Sequence, residues 1–294
     1  MSSTKGLKKR ISGIRDTKKI TNAMYLIASA KLSKARQELD NTRPYFEALK
    51  SEIKRIFRID PKRDNKFFYP VGVTHDLQGA YGYLVITADK GLSGSYNMNV
   101  IKTALNLMKQ HSENELYVVG QYGRHYFSSH NIPIKDNFLY TAQNPTFARA
   151  RQICDVLLDG YLSGRLKKIY VIYTDYVSGV KSDIYVTRLL PFHRSDFLDH
   201  VQERVIKELV EFSLSAEEVL NNIVPSYVAG FIYSALIDSY CSEQNARMTA
   251  MKTANDNAQE LLESLTLQYN HQRQSEITAE ITEISAGCLG KEMS

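Results

Sequence analysis

Apolar residues return at alternating steps of four and three from Leu7 to Ile56, through Ile11, Ile14, Lys18, Thr21, Tyr25, Ala28, Leu32, Ala35, Leu39, Thr42, Phe46, Leu49 and Ile53, and 12 of these 15 positions are apolar. Such a period is the seam of a helix made to lie along another helix. Pro44 has no N–H and should bend or interrupt it, and IDPKRDNKFFYP, residues 59–70, should end it. At ~1.5 Å per residue this helix is roughly 75 Å long, longer than a small domain is wide, so it must stand out from one.

The other end of the chain offers a partner. Ser215 followed by Glu218 has capping-box spacing, and Pro225 fits the first turn of a longer helix that meets no other proline up to about Ser285. Its seam is less regular: Met248, Met251, Ala258, Leu262, Leu265 and Tyr269 follow threes, fours and one heptad step, and the phase slips before Ile277, Ile281 and Ile284. Residues 1–58 carry 15 Lys and Arg against 5 Asp and Glu, whereas residues 209–294 carry 4 against 12, so the two ends attract. With a whole domain between them, they pair most simply as antiparallel helices, with about half to two-thirds of the longer one lying against its partner.

Between residues 75 and 200 the texture changes. Strand-like runs (YGYLVITA, ELYVVGQ, KKIYVIYTDY, SDIYVTRLLPF) alternate with helical spacing (NMNVIKTALNLMKQH and NPTFARARQICDVLLDGYL), the pattern of a parallel-rich sheet covered by helices. YTDYVSGVKSDIYV, turning at Ser178-Gly179, reads as an antiparallel hairpin at the sheet's edge. The fold class is therefore α/β plus a long antiparallel α-helical coiled coil, divided as 1–58 N-terminal helix, 75–200 α/β domain, 209–285 C-terminal helix and 286–294 polar tail.

The turn ITADKGLSGSYN could hold a phosphate on backbone N–H groups beside Lys90. However, Lys90 precedes Gly91 and Gly94, where the GxxxxGK[ST] loop needs its lysine after the glycines, and GxGxxG does not match either. A tight strand exit is the better reading. No His spacing suits a metal, no GxSxG is present, and Cys154, Cys241 and Cys288 fit neither a zinc nor a disulfide pattern, which points to a reducing compartment. No apolar run reaches 18 residues and MSSTKGLKKRISGIRD lacks a signal-peptide core. The basic N-terminus lacks the aromatic platforms of a nucleic-acid binder.

Three segments carry a resemblance. KGLKKRISGIRDTKKITNAMYLIASAKLSKA near the start, ITADKGLSGSYN in the middle and SEQNARMTAMKTANDNAQELLESLTLQYNHQRQSEITAEITEISAG near the end resemble the gamma subunit of F-type ATP synthases, in order and at the proper ends of the chain. The resemblance implies a Rossmann-like central domain that holds no nucleotide, and no cofactor, metal or catalytic residue in this chain. It implies a single-copy rotor shaft inside a hexamer of alpha and beta subunits, with its foot on the c-ring and the epsilon subunit as a further partner. The c-ring would turn with the ion flow, protons or sodium ions, on the cytoplasmic face of a bacterial plasma membrane, with which this chain associates only indirectly.

Residue by residue, the resemblance assigns coupling contacts to Met24 in TNAMYLIASAK, to Arg247 in ARMTAMK, to Arg273 and Gln274 in HQRQSEIT, and to Thr278, Glu280 and Glu283 in ITAEITEIS. The chain departs from the family in Ser93 and Ser95, where Cys and Gly are common, and in the polar continuation SAGCLGKEMS. Two other readings fit the residues alone, a static coiled-coil scaffold with an α/β head and a nucleotide-dependent enzyme.

Overall fold

The computed structural model describes residues 4–59, 65–69, 78–176, 182–197 and 216–292. The elements run α1 (Thr4–Ile59), β1 (Ala80–Ile86), α2 (Tyr96–Met108), β2 (Asn114–Val119), α3 (Gln121–Ser129), α4 (Phe147–Leu162), β3 (Leu166–Tyr176), β4 (Ser182–Leu190) and α5 (Ala216–Glu292). They form two compact units: Ala30–Ala246, and Met1–Ser29 together with Arg247–Ser294. The expected turn at Ser178-Gly179, the cap at Ser215 and the side chains of the 286–294 tail lie outside the described residues.

In the larger unit the sheet order is β2-β1-β3-β4, with β1 parallel to both neighbours and β4 antiparallel to β3 at the edge. Strand alternation sorts the side chains into two layers. Leu84, Ile86, Tyr117, Val119, Ile169 and Val171 face a core shared with α1, α4 and the first part of α5, in which Ile53, Phe57, Leu157, Leu220, Ile232 and Ile237 are fully buried. Tyr83, Val85, Leu116, Val118 and Ile172 face α2 and α3, through Val100, Ile101, Ala104 and Phe127. The short α3 escaped sequence reading because its apolar face is brief, Phe127 with Tyr122 and Tyr126 beside it, and it lies close to the sheet at Gly123, where a Cβ would fall 2.5 Å from Thr87 Oγ1.

Neither proline stops its helix. Pro44 lies inside α1 and Pro225 inside α5, well past the first turn where sequence reading put it. A proline leaves one carbonyl, four residues back, without its helical donor. At Pro44 that residue is the exposed Asp40, which water can serve. Around Pro225, Leu220, Val224 and Val228 are fully buried, and this packing holds the helix through the defect. Likewise α5 continues to Glu292, past the boundary expected at Ser285. Gly287 and Gly290 do not end it, since a helical glycine costs only about 1 kcal/mol. By length and composition α5 is apolar enough to cross a membrane, but 56% of that window is buried inside the protein, as in a core helix.

Polar groups stitch α5 to the end of β3: the Thr174 N–H donates to Ser239 Oγ at 3.3 Å and Ser242 Oγ donates to the Thr174 carbonyl at 3.4 Å. Asp238 strains this seam. Burial first, and then Asp175 on β3, push its carboxyl up to about 7, with Arg43 of α1 opposing. A carboxyl held neutral by the fold costs nothing at acid pH, and stability is lost as pH rises from the ordinary carboxylate range through the folded value. Asp238→Asn is therefore expected to raise stability by about 1–2 kcal/mol at pH 8 and to change little at pH 4, read by urea unfolding at both pH values.

In the smaller unit the two helices run antiparallel. Leu7, Ile11 and Leu265 form a buried cluster with Ile14, Leu262 and Tyr269 packed on it. Lys18 Nζ donates to Gln259 Oε1 at 2.6 Å, and Thr21 Oγ1 to Asn255 Oδ1 at 3.5 Å. All fifteen positions of the α1 seam, Leu7 to Ile56, are buried or half-buried.

Candidate functional site: the exposed stripes of the helix pair

Helix α1 has a second apolar row. Ile20, Met24 and Ile27 follow steps of four and three beside the seam; Ile20 and Ile27 are 60% and 56% exposed and Met24 is half-buried. A stripe displaced from the seam cannot be satisfied by the same neighbouring helix. The family resemblance pointed to Met24 but not to its companions, because only one period was sought in that stretch. Arg247, on α5, is half-buried and held by neighbouring groups.

The other expected contact residues lie elsewhere. Arg273, Gln274, Thr278, Glu280 and Glu283 are all exposed on α5 beyond Tyr269, the last α5 residue, among the described residues, of the hydrophobic cluster shared with α1. Their hydroxyl partners are local: Thr278 Oγ1 donates to the Gln274 carbonyl at 2.8 Å, and Thr282 Oγ1 to the Thr278 carbonyl at 2.8 Å. Between Arg247 and Arg273 lie roughly 39 Å of helix at ~1.5 Å per residue. The seven residues therefore fall into two groups. In the second, Ile277, Ile281 and Ile284 repeat the four-three step with 42%, 58% and 67% exposure. Among the described residues nothing covers them, and a lone helix with an apolar stripe in water is an incomplete interface.

The glycine-rich turn is closed upon itself. The Asp89 carboxylate accepts the backbone N–H groups of Gln121 at 3.0 Å, Ala142 at 3.0 Å and Gln143 at 2.9 Å. Gln121 opens α3, so the position where a helix N-terminus would cradle a phosphate already holds an anion. Asn97 Oδ1 accepts the Ala88 N–H at 2.9 Å, and Thr87 Oγ1 accepts the Gly123 N–H at 3.1 Å while donating to the Val119 carbonyl at 2.9 Å. Every polar side chain in that set serves the turn. Of the cysteines, Cys154 and Cys241 are buried among the described residues, and burial pushes both thiols up to about 12, away from the reactive thiolate.

A protein-family model described as ATP synthase matches residues 3–289. The ATP synthase gamma chain of Acetivibrio thermocellus is 38% identical over 286 residues, covering 96% of this chain and 96% of that one. A gamma chain described as sodium ion specific, from Acetobacterium woodii, is 34% identical over 295 residues, again covering 96% of each. Among solved structures, a chain of the Euglena gracilis mitochondrial ATP synthase, in its OSCP/F1/c-ring part, superposes with a TM-score of 0.65 at 17% identity, covering 98% of this chain and 94% of that one. At that identity the likeness speaks for the fold.

Proposed function

The chain belongs to the ATP synthase gamma-chain family, and from that premise we propose that it is the central rotor shaft of an F-type ATP synthase, a non-catalytic subunit present in one copy. A c-ring turned by protons or sodium ions rotates it, and a hexamer of alpha and beta subunits, where ATP is made and cleaved, responds to its angle. The observation that carries this reading is the far end of α5, with Ile277, Ile281 and Ile284 exposed past the apolar cluster it shares with α1. A static scaffold would bury such a stripe against a fixed mate or a second copy. A shaft leaves it for surroundings whose contacts change as it turns, so that each angle favours a different conformation of the neighbours. The epsilon subunit belongs on the same rotor, and attachment to the cytoplasmic face of the bacterial plasma membrane is peripheral, through the c-ring.

In this reading Met24 touches the surrounding subunits together with Ile20 and Ile27, and Arg247, Arg273, Gln274, Thr278, Glu280 and Glu283 supply the polar contacts. Met24→Lys puts a charge in the apolar row without entering the seam. In purified complex containing one copy of this chain by native mass spectrometry, the variant is expected to assemble and hydrolyse ATP, while ATP-driven ion pumping into vesicles falls several-fold per ATP, on the order of a 1 kcal/mol bias. Undiminished pumping would remove Met24 from the coupling contacts.

A further inference from the structure

Strand β3 outruns its parallel neighbour. The pairing of β1 with β3 ends at Val85 with Ile172, whereas β3 continues to Tyr176 and stays paired with β4 on its other side. Along that overhang α5 takes the place of a strand: the buried Ser239 and Ser242 take up the N–H and the carbonyl of Thr174. Two backbone groups of the sheet thus depend on the position of one helix. Asp238, beside Ser239, sits in acidic company. Asp175 of β3 acts on it, and Asp183 of β4 stands directly opposite Asp175 in the register, an unfavourable pairing of like groups. Tyr173 of β3, tilted against Tyr185 of β4, lies within reach of the same field. From α1 the opposing cation is Arg43, an exposed side chain whose charge water screens. Arg36, Glu38 and Asp40 of α1 act on Cys241, on the next turn of α5, and Arg36 lies over the Tyr176 ring at 5.3 Å. Glu243, further along α5, is buried.

We propose that this seam is a proton-operated latch: with Asp238 protonated α5 holds the overhanging end of β3, and loss of that proton sets one more charge against Asp175 and loosens the hold. The hydroxyl catch and the titrating group are neighbours on one turn of α5, so a shift that brings the Asp238 carboxylate to water draws Ser239 away from Thr174. Closed, the carboxyl is held up to about 7, by burial first and then by Asp175; open, it meets water and returns to the ordinary carboxylate range. Opening therefore becomes easier as pH rises from that range to about 7, by up to about tenfold per pH unit, and no easier above it. Acidification closes the latch.

The test is amide hydrogen exchange of the full chain at pH 5, 6, 7 and 8, read by mass spectrometry on residues 172–176 and corrected for the intrinsic exchange rate at each pH. Wild type is expected to lose protection there by at least about tenfold between pH 5 and pH 7 and to change little from 7 to 8. Residues 84–86, at the centre of the sheet, should show no such change. Asp238→Asn should keep the protection high and level at every pH, whereas Ser239→Ala should lower it even at pH 5. Asp175→Asn removes the like charge without touching α5, and should move the loss of protection to higher pH by easing it at pH 6; it serves as the second variant should Asp238→Asn fold poorly. Level protection in wild type overturns the latch. So does an equal loss at residues 84–86, which would mark general loosening of the fold, or the same pH dependence in wild type, Asp238→Asn and Asp175→Asn. The measurement reads this chain alone and stands whether or not the rotor reading does.

Discussion

Leu32→Asp is expected to lower the stability of the larger unit by about 3–5 kcal/mol, the cost of leaving a charge buried without a partner. Leu32 is 8% exposed, lies in the α1 seam and belongs to the core shared by α1, α5 and the sheet. The neighbouring Ser33 is exposed, so Ser33→Asp, one residue on, should change stability by no more than about 0.5 kcal/mol. Urea unfolding of both variants measures the contrast. Equal stabilities would mean that the seam runs along a different side of α1.

The second large effect is expected at Gly230, where α5 crosses Phe46 of α1. A Cβ there would lie 2.0 Å from Phe46 Cδ1 and 2.9 Å from Cγ. The ring has little room to yield, with Tyr45, Phe147 and Tyr233 at centroid distances of 5.3, 6.0 and 6.3 Å. In a free helix Gly→Ala gains about 1 kcal/mol. Here the overlap reverses the sign, and Gly230→Ala is expected to destabilise by about 1–3 kcal/mol. Phe46→Ala opens the space, so Gly230→Ala added to that background should be neutral or stabilising. A double-mutant cycle in thermal unfolding reads the difference, expected to be on the order of 2 kcal/mol; additive effects would refute the close approach.

The α1 seam was legible because a repeat sustained from Leu7 to Ile56 leaves one solution, and burial follows it position by position. The four strands were legible as short β-rich runs, two of them buried on both faces, and the antiparallel edge as a hairpin-like stretch. The order β2-β1-β3-β4 was not, since sequence gives pairing partners only through turns short enough to force them. α3 was hidden because its apolar face is only Phe127 with Tyr122 and Tyr126 beside it, too short a run to show a period, while a glycine contact and the Asp89 carboxylate fix its start. Reading Pro225 as a helix start gave too much weight to local geometry: burial on both sides of it outweighs one lost hydrogen bond. Met24 came from family resemblance, and no separate sequence signal marked its exposed companions Ile20 and Ile27, which lie off the seam's period.

Helices locked side by side resist a twisting load in parallel, and from Leu7 to Tyr269 the α1 and α5 side chains interlock. Beyond Tyr269, among the described residues, α5 has no apolar contact with α1, so twisting there is resisted by one helix alone. The described stretch of the smaller unit that twists most readily is therefore the part of α5 beyond Tyr269, which can turn about its axis without loosening the bonds that keep the pair in register.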